Sequence, residues 1–454
     1  MAEGTNEASN SLRTRIGNII GRKRLLWISI AIIVGIVIIA AVVIPITIIL
    51  TKKETIIISS TTTTTTRTTT AKTTTITTTM MMTTTDIIMA TNEPDFRYWS
   101  RTTNMIFSRH YHAASVLQSG KVLVTGGYHN YDEQNTAEVY DISTETWTLL
   151  TNSMKDRRIS HTSSVLSDGK VLVTGGYDDG KYLNSAELYD PTTQTWNITS
   201  SLKIKRREHT ASLLNNGMVL VIGGMDDTST ELSSAEIYDP TTKTWTLTHS
   251  MKYARRHHQV SKLENGKLLV TGGYADNMFH DSAELYDPST KLWTTTGKMH
   301  HPRWLHTATL LRNGKVLVTG GKNDTMFVNS AELYDPLAGK WTVTGSLMYP
   351  RDCHSAILLA NEKVLVIGGR TVGYVHLRNS ELYDPLTETW STAGNINCRR
   401  DQHIVSKLSN GTLLVTGKEL AFKINVVRIV AVDLEVFVQF ELFVHQLSDT
   451  LCDR

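Results

Sequence analysis

RWLHTATLLRNGKVLVTGGKNDTMFVNSAELYDPLAGKWTVTG, residues 303–345, contains the whole fold in one unit. Four short runs stand out: HTATLL from His306, KVLVTGG from Lys315, SAELYDP from Ser330 and WTVTG from Trp341, called strands a to d below. Runs of this length, rich in β-branched and aromatic residues and bounded by turn formers, predict strands rather than helices. Asn313-Gly314 joins a to b, as Asn216-Gly217 and Asn265-Gly266 do elsewhere, and Asn-Gly is the strongest short hairpin signal. Asp335-Pro336, like Asp190-Pro191, starts a tight turn between c and d. The glycine pair ending strand b predicts a site where a side chain would block an unusual backbone angle or a close neighbour.

The unit recurs every 48 or 49 residues. Its glycine pairs are Gly126 and Gly127, Gly175 and Gly176, Gly223 and Gly224, Gly272 and Gly273, Gly320 and Gly321, and Gly368 and Gly369. A tyrosine and a tryptophan follow each pair, always seven positions apart: Tyr140 and Trp147, Tyr189 and Trp196, Tyr238 and Trp245, Tyr286 and Trp293, Tyr334 and Trp341, Tyr383 and Trp390. Trp99 stands 48 residues before Trp147, with Met105 six residues on, as Met251 follows Trp245 and Met299 follows Trp293. Four antiparallel strands per unit of this length describe a propeller blade.

On the glycine pairs, the Tyr-Trp spacing and the glutamate of SAELYDP (Glu187, Glu236, Glu284, Glu332), the chain resembles the kelch-repeat family over about residues 97–418. The resemblance implies an all-β kelch propeller of six or seven blades. Six units are complete between Arg109 and Ile396, and a seventh begins at Arg400 with HIVSKL and TLLVTG. Trp99 to Met105 then reads as the strand d that completes the seventh blade from the N-terminal side, leaving no open sheet edge. After Gly417 the repeat breaks at Lys418. The alternating stretch from Val432 to Val444 is a candidate for the missing strand c. A Gly-Lys step is also what a translated splice donor encodes, so the tail has a second reading as a segment foreign to the fold.

The segments before the repeats differ in kind. Leu25 to Leu50 carries no charge over 26 residues, enough to span a bilayer as one transmembrane helix and longer than the apolar part of a signal peptide. Arg13, Arg15, Arg22, Lys23 and Arg24 precede it and only Lys52 and Lys53 follow, which predicts a single-pass type II orientation with the N-terminus cytosolic. Residues 51–92 are dominated by threonine and lack core-forming side chains, so they read as a disordered stalk, open to O-glycosylation in a lumenal or extracellular setting. The expected organisation is thus a cytoplasmic tail (1–24), a membrane helix (25–50), the stalk (51–92), the propeller (93–418) and a divergent tail (419–454). Asn197, Asn323 and Asn410 head N-glycosylation sequons beyond the anchor.

With 46 basic and 43 acidic residues, net +3, bulk charge does not favour nucleic acid. Three cysteines exclude a disulfide scaffold or a cysteine-rich zinc site; Cys353 and Cys398, near the starts of consecutive blades, are a candidate bridge in an oxidising compartment. Every blade starts with Arg-x-x-His: Arg109 with His112, Arg158 with His161, Arg206 with His209, Arg255 with His258, Arg303 with His306, Arg351 with His354 and Arg400 with His403. A residue repeated in each blade serves the blade, and a wide histidine ring does not converge on one ion, so no metal or cofactor is expected.

Positions that vary between blades are more informative. The b–c and d–a loops share one face, and the d–a loops carry Lys155, Arg157, Lys203, Lys205, Arg207, Lys252, Arg256 and Arg399 with Tyr253, Trp304 and Tyr349 interleaved. Variable loops on a uniform scaffold are where binding concentrates, and arginine among aromatics suits protein or anionic-glycan ligands. The expectation is a non-enzymatic, membrane-anchored recognition or adhesion protein. The alternative is an extracellular copper oxidase of galactose-oxidase type, a group with similar blades. Its cross-linked Tyr-Cys pair and additional C-terminal domain have no counterpart in the motifs here.

Overall fold

Strand b is apolar on both faces and is buried on both: Val122–Thr125, Val171–Thr174, Val219–Ile222 and Val316–Thr319 have no exposed residue. Strand a in front of it and strand c behind it pair antiparallel, and strand d covers c. In the computed structural model, which describes residues 99–130, 132–417 and 422–424, this order produces six sheets of four strands, each from one continuous stretch: 113–149, 162–199, 210–247, 259–295, 307–344 and 355–395. The proposed membrane helix, the stalk and the stretch from Val432 to Val444 lie outside the described residues. No helix among the described residues is long and apolar enough to cross a membrane.

A seventh four-stranded sheet is assembled from both ends of the repeat array. Ile404–Lys407 and Leu413–Thr416 are its strands a and b. Phe422–Ile424 takes the strand c position, and Trp99–Arg101 pairs with it as strand d. Trp99 lies opposite Ile424, as Trp147 lies opposite Tyr140 in the first blade, so it holds the blade-tryptophan position. Strand c therefore comes from the residues just after the break, not from Val432 to Val444. A short a–b–c hairpin needs only a brief connection, and the alternation farther on is not needed for it.

The Tyr-Trp spacing has a direct structural meaning. In each of the six continuous blades the two residues are cross-strand partners on c and d, with ring centres 4.9–5.1 Å apart. Their burial is uneven. The tyrosines are buried throughout, and so are Trp99, Trp147, Trp245 and Trp341, whereas Trp196, Trp293 and Trp390 are only half-buried. Strand d is the outer strand, so its tryptophan keeps an edge toward solvent. In the third to sixth blades the indole N–H ties back to the preceding blade, as from Trp245 to the Ser200 carbonyl at 2.9 Å and from Trp390 to that of Gly345 at 2.8 Å, whereas those of Trp99, Trp147 and Trp196 have no such partner.

Each interface between neighbouring blades holds one apolar cluster. Leu408 and Leu414 of the seventh blade pack with Val122, Tyr140 and Trp147 of the first, and Trp99 packs with Leu365, Leu382 and Leu413 between the sixth and seventh. The ring is thus closed by the same packing that joins its inner members. Polar contacts repeat the pattern. The buried histidine opening one blade hydrogen-bonds with a threonine of the blade before it: His161 with Thr125 at 2.9 Å, His209 with Thr162 at 3.0 Å, His258 with Thr210 at 2.8 Å, His306 with Thr271 at 3.0 Å and His354 with Thr307 at 2.9 Å. His112 reaches Thr416 at 3.0 Å across the closure. His403 differs: Ser355 donates to its carbonyl instead, and neither ring nitrogen has a partner.

The glycine pairs make this stacking possible. Gly126 has φ of 59°, and a Cβ on it would lie 2.4 Å from the carbonyl oxygen of Arg158 in the next blade. That carbonyl accepts the Gly127 N–H at 3.0 Å. The second glycines, Gly127, Gly176, Gly224, Gly273, Gly321 and Gly369, all have φ between 94° and 106°. Five of them repeat the same bond: the N–H donates to the next blade's arginine carbonyl at 2.8 Å from Gly176, Gly321 and Gly369, at 3.0 Å from Gly224 and at 2.9 Å from Gly273. Cys353 is a free thiol, so the Cys353–Cys398 bridge is not formed.

Two outcomes follow from this construction. Trp99→Ala should lower the unfolding free energy by about 3–5 kcal/mol, as truncation of a buried tryptophan does elsewhere, read as a drop in the urea midpoint; a wild-type midpoint would remove the N-terminal strand from the ring. Burial, reinforced by the neighbouring arginines, holds His112, His209 and His354 down to about 3 and keeps His161, His258, His306 and His403 well below their ordinary value. Their contribution is complete above about pH 6.5, where the unfolded chain is also neutral. As pH falls from there toward about 3, the unfolded chain takes up protons the folded chain refuses, and each histidine removes about 1.4 kcal/mol of stability per pH unit. Urea midpoints should fall steeply below pH 6; midpoints level between pH 7 and 4 would sink this account.

Candidate recognition face

The d–a loops are pinned from below. In six blades the arginine of Arg-x-x-His is fully buried and meets the strand c glutamate: Arg109–Glu138 at 2.9 Å, Arg158–Glu187 at 2.7 Å, Arg206–Glu236 at 2.9 Å, Arg255–Glu284 at 2.8 Å, Arg303–Glu332 at 2.8 Å and Arg351–Glu381 at 2.6 Å. The guanidinium also donates to the carbonyl of the first glycine of its own blade's pair, as Arg206 does to Gly223 at 2.8 Å. The second carboxylate oxygen accepts a loop N–H, from Lys155 at 2.8 Å, Lys203 at 2.7 Å and Lys252 at 2.7 Å. In the seventh blade this register position is Phe422, opposite Val415; there Arg400 donates to the Gly417 carbonyl at 3.2 Å.

Pinned at Arg and at His, the loop carries the residue just before each histidine into the left-handed region. Tyr111, Ser160, Glu208, His257, Leu305, Cys353 and Gln402 all have φ between 50° and 57°. Such a conformation costs roughly 1–2 kcal/mol for a residue with a side chain, and here backbone bonds hold it. In six of the seven the N–H donates to the carbonyl of the equivalent residue one blade earlier, as from Ser160 to Tyr111 at 3.0 Å, Glu208 to Ser160 at 3.1 Å, Cys353 to Leu305 at 3.1 Å and Gln402 to Cys353 at 3.0 Å. The Gln402 side chain completes the circuit by donating to the Tyr111 hydroxyl at 3.0 Å. Seven chemically different side chains thereby surround the mouth of a cavity of about 740 Å³. Sequence reasoning overlooked these residues. Their signal was present: one position of changing chemistry between an arginine and a histidine that every blade repeats.

Charge at the mouth is internally balanced. Glu208 accepts from Arg256 at 2.8 Å and lies 3.0 Å from His257; burial raises its pKa, but those two neighbours outweigh it and hold the carboxyl well below its usual range. Across the cavity Arg370 pairs with Asp352 at 2.9 Å and lies 3.5 Å from Asp401. Burial, with Asp352 beside it, pushes the Cys353 thiol up, away from thiolate. Among the described residues no three His, Cys, Asp or Glu side chains are grouped to hold a metal ion.

The basic loop residues singled out from sequence are all on this face, but the b–c loops neutralise several. Arg157 reaches Asp132 at 2.6 Å and Asp178 at 3.0 Å, Lys205 reaches Asp227 at 2.7 Å, and Arg256 adds Glu231 at 3.2 Å. Arg207 lies over both Tyr177 and Tyr182, 4.8 Å from each ring centre. Lys155, Lys203, Lys252 and Arg399 project to solvent, as does Tyr349, while Tyr253 sits beside His280. Trp304 lines the cavity against Tyr274. The expected basic surface is therefore a mosaic, because the carboxylates of the other loop set fold against it. Of the sequon asparagines, Asn197 is exposed on an outer strand and Asn410 in an a–b turn, whereas the Asn323 side chain accepts the Thr325 N–H at 3.1 Å within a b–c turn.

Comparisons with known proteins agree with this geometry. The KLHDC2/KLHL20/DRC7 Kelch-repeats domain matches residues 75–273 and 246–417. The F-box/kelch-repeat protein At4g39560 of Arabidopsis thaliana is 41% identical over 64 residues, 14% of this chain and 24% of that protein, so the match spans about a quarter of that relative's length. Among solved structures, a novel fungal alcohol oxidase of the AA5 family in complex with copper is similar at a TM-score of 0.60 and 17% identity, over 72% of this chain and 76% of that one. The structure of YjhT is similar at 0.51 and 16%, over 64% and 99%. Both structural likenesses concern the fold alone. With its profile match covering most of the chain and a Gly-Gly, Tyr and Trp framework in every continuous blade, the chain belongs to the kelch-repeat family.

Proposed function

We propose that this chain is a non-enzymatic recognition protein whose loop face binds a protein ligand, carried on a type II membrane anchor and a threonine-rich stalk outside the cell or in a lumen. One observation carries the reading: seven different side chains held at one strained, structurally equivalent position around a cavity on an otherwise uniform scaffold. Strain of this kind is concentrated where ligands are met. An anionic glycan is a second ligand class for the same face, favoured by the exposed Lys155, Lys203 and Lys252.

The copper-oxidase reading draws on the structural likeness to the fungal alcohol oxidase. It requires several ligands converging on one ion. Six of the seven ring histidines are instead engaged with threonines of neighbouring blades, which favours the recognition reading.

Three measurements test the proposal on the full chain. Expressed in animal cells, it should show a glycosidase-sensitive mass shift from Asn197 or Asn410; an unshifted mass with the propeller reached only from the cytosolic side would reverse the topology. Purified protein should bind no stoichiometric copper and oxidise no galactoside; both activities together would establish the oxidase. On arrays of extracellular proteins and anionic glycans, Tyr111→Ala and Trp304→Ala should each weaken the retained ligand about tenfold, equivalent to about 1.4 kcal/mol. A ligand indifferent to both, and lost on changing Leu337 of the opposite face, would place recognition elsewhere.

A further inference from the structure

The loop face is not uniform in polarity. Among the described residues, the b–c loops of the first three blades expose no large apolar side chain. Those of the fourth to sixth expose Met278, Met326, Val372 and Tyr374, each between 57% and 66% accessible. Contacts make this sector continuous. Phe279 lies 5.8 Å from Trp304, Trp304 bridges to Lys322 through the backbone, and Phe327 lies 5.6 Å from Tyr374. Contiguous exposed apolar surface marks a contact site, and methionine adapts to varied partner shapes.

Three cations stack on the rings in and beside this sector, Arg256, Lys322 and Arg370. The Lys322 ammonium is 5.3 Å from the Phe327 ring centre and 4.9 Å from that of Tyr374, and it donates to the Tyr374 hydroxyl at 2.8 Å. The arginines stacked on rings of the same face, Arg256 and Arg370, have carboxylate partners. Lys322 forms no ion pair among the described residues. A charge fixed by two rings and a hydroxyl, with no carboxylate within ion-pair distance although it acts on buried Asp352 from farther away, and bordered by exposed apolar groups, is complementary to a carboxylate flanked by apolar side chains.

We infer that the fourth to sixth blades form a docking surface for a partner polypeptide segment that presents large apolar side chains beside a carboxylate, with the carboxylate on Lys322 and the apolar groups on Met278, Met326 and Tyr374. The inference rests on the protein-recognition reading of this face and names the chemistry of the segment.

The test uses the full chain, purified in a non-ionic detergent, and a phage-displayed library of random twelve-residue peptides. Selected peptides should combine aromatic or aliphatic residues with Asp or Glu. Lys322→Glu should weaken their binding at least about tenfold, as loss of a central contact does, and reselection on that variant should favour Lys or Arg. Met326→Asp should weaken them similarly, while Lys243→Glu, in the exposed c–d turn of the third blade on the opposite face, leaves them unchanged. Met326 and Lys243 are exposed and Lys322 is half-buried with no ion pair to lose, so melting temperatures close to the wild type should separate binding from folding. Enriched peptides without acidic residues, or indifferent to Lys322→Glu, would overturn this inference alone. Self-association abolished by Met326→Asp would place a second copy on the surface and also overturn it. A library from which nothing is enriched would overturn the protein-recognition reading itself.

Discussion

A buried arginine paired with a buried glutamate, repeated in six blades, is the constraint on which the functional face depends. Taking both charges out of water is expensive, and the pair is supported by carbonyls that accept from the guanidinium and loop amides that donate to the carboxylate, although the Nε of Arg158, Arg206 and Arg255 has no partner. The consequence is positional. With the guanidinium fixed to strand c and the following histidine fixed to the previous blade, the residue between them has little freedom, and its side chain is presented at the cavity mouth. The scaffold determines where chemistry is displayed, while the identity of the displayed residue is left free to change from Tyr to Glu to Cys around the ring.

The same separation explains what was legible in the sequence. The strands, the blade period and the role of Trp99 could be read because they rest on local pattern: alternation, turn chemistry and a tryptophan at the repeat distance. The strand c of the seventh blade could not be placed, because at Phe422–Ile424 only three residues pair and neither the tyrosine nor the glutamate of the other blades is present. The longer alternation beyond it gave a stronger local signal than the pairing the fold uses. The basic loops misled for a related reason. Charges counted along the chain omit the carboxylates that a second loop set brings against them, as Asp132 and Asp178 meet Arg157. The apolar sector was hidden likewise, since Phe327 and Tyr374 lie 47 residues apart and meet only once the blades stand side by side.

Closure has a temporal side. His112 meets Thr416 across 304 residues of chain, and the Asn397 side chain donates to the Trp99 carbonyl across 298. At a ribosomal pace of about 5–20 residues per second, roughly 15–60 s separate synthesis of the two halves of such a contact. Throughout that interval the first blade has no neighbour on one side, and Val122, Tyr140 and Trp147 lack the seventh-blade leucines that bury them. The chain emerges as an open arc whose inner blades are finished before its ends can join. An apolar flank left open until the end of synthesis is therefore built into the topology, as the consequence of making the last blade from the first and last strands of the ring.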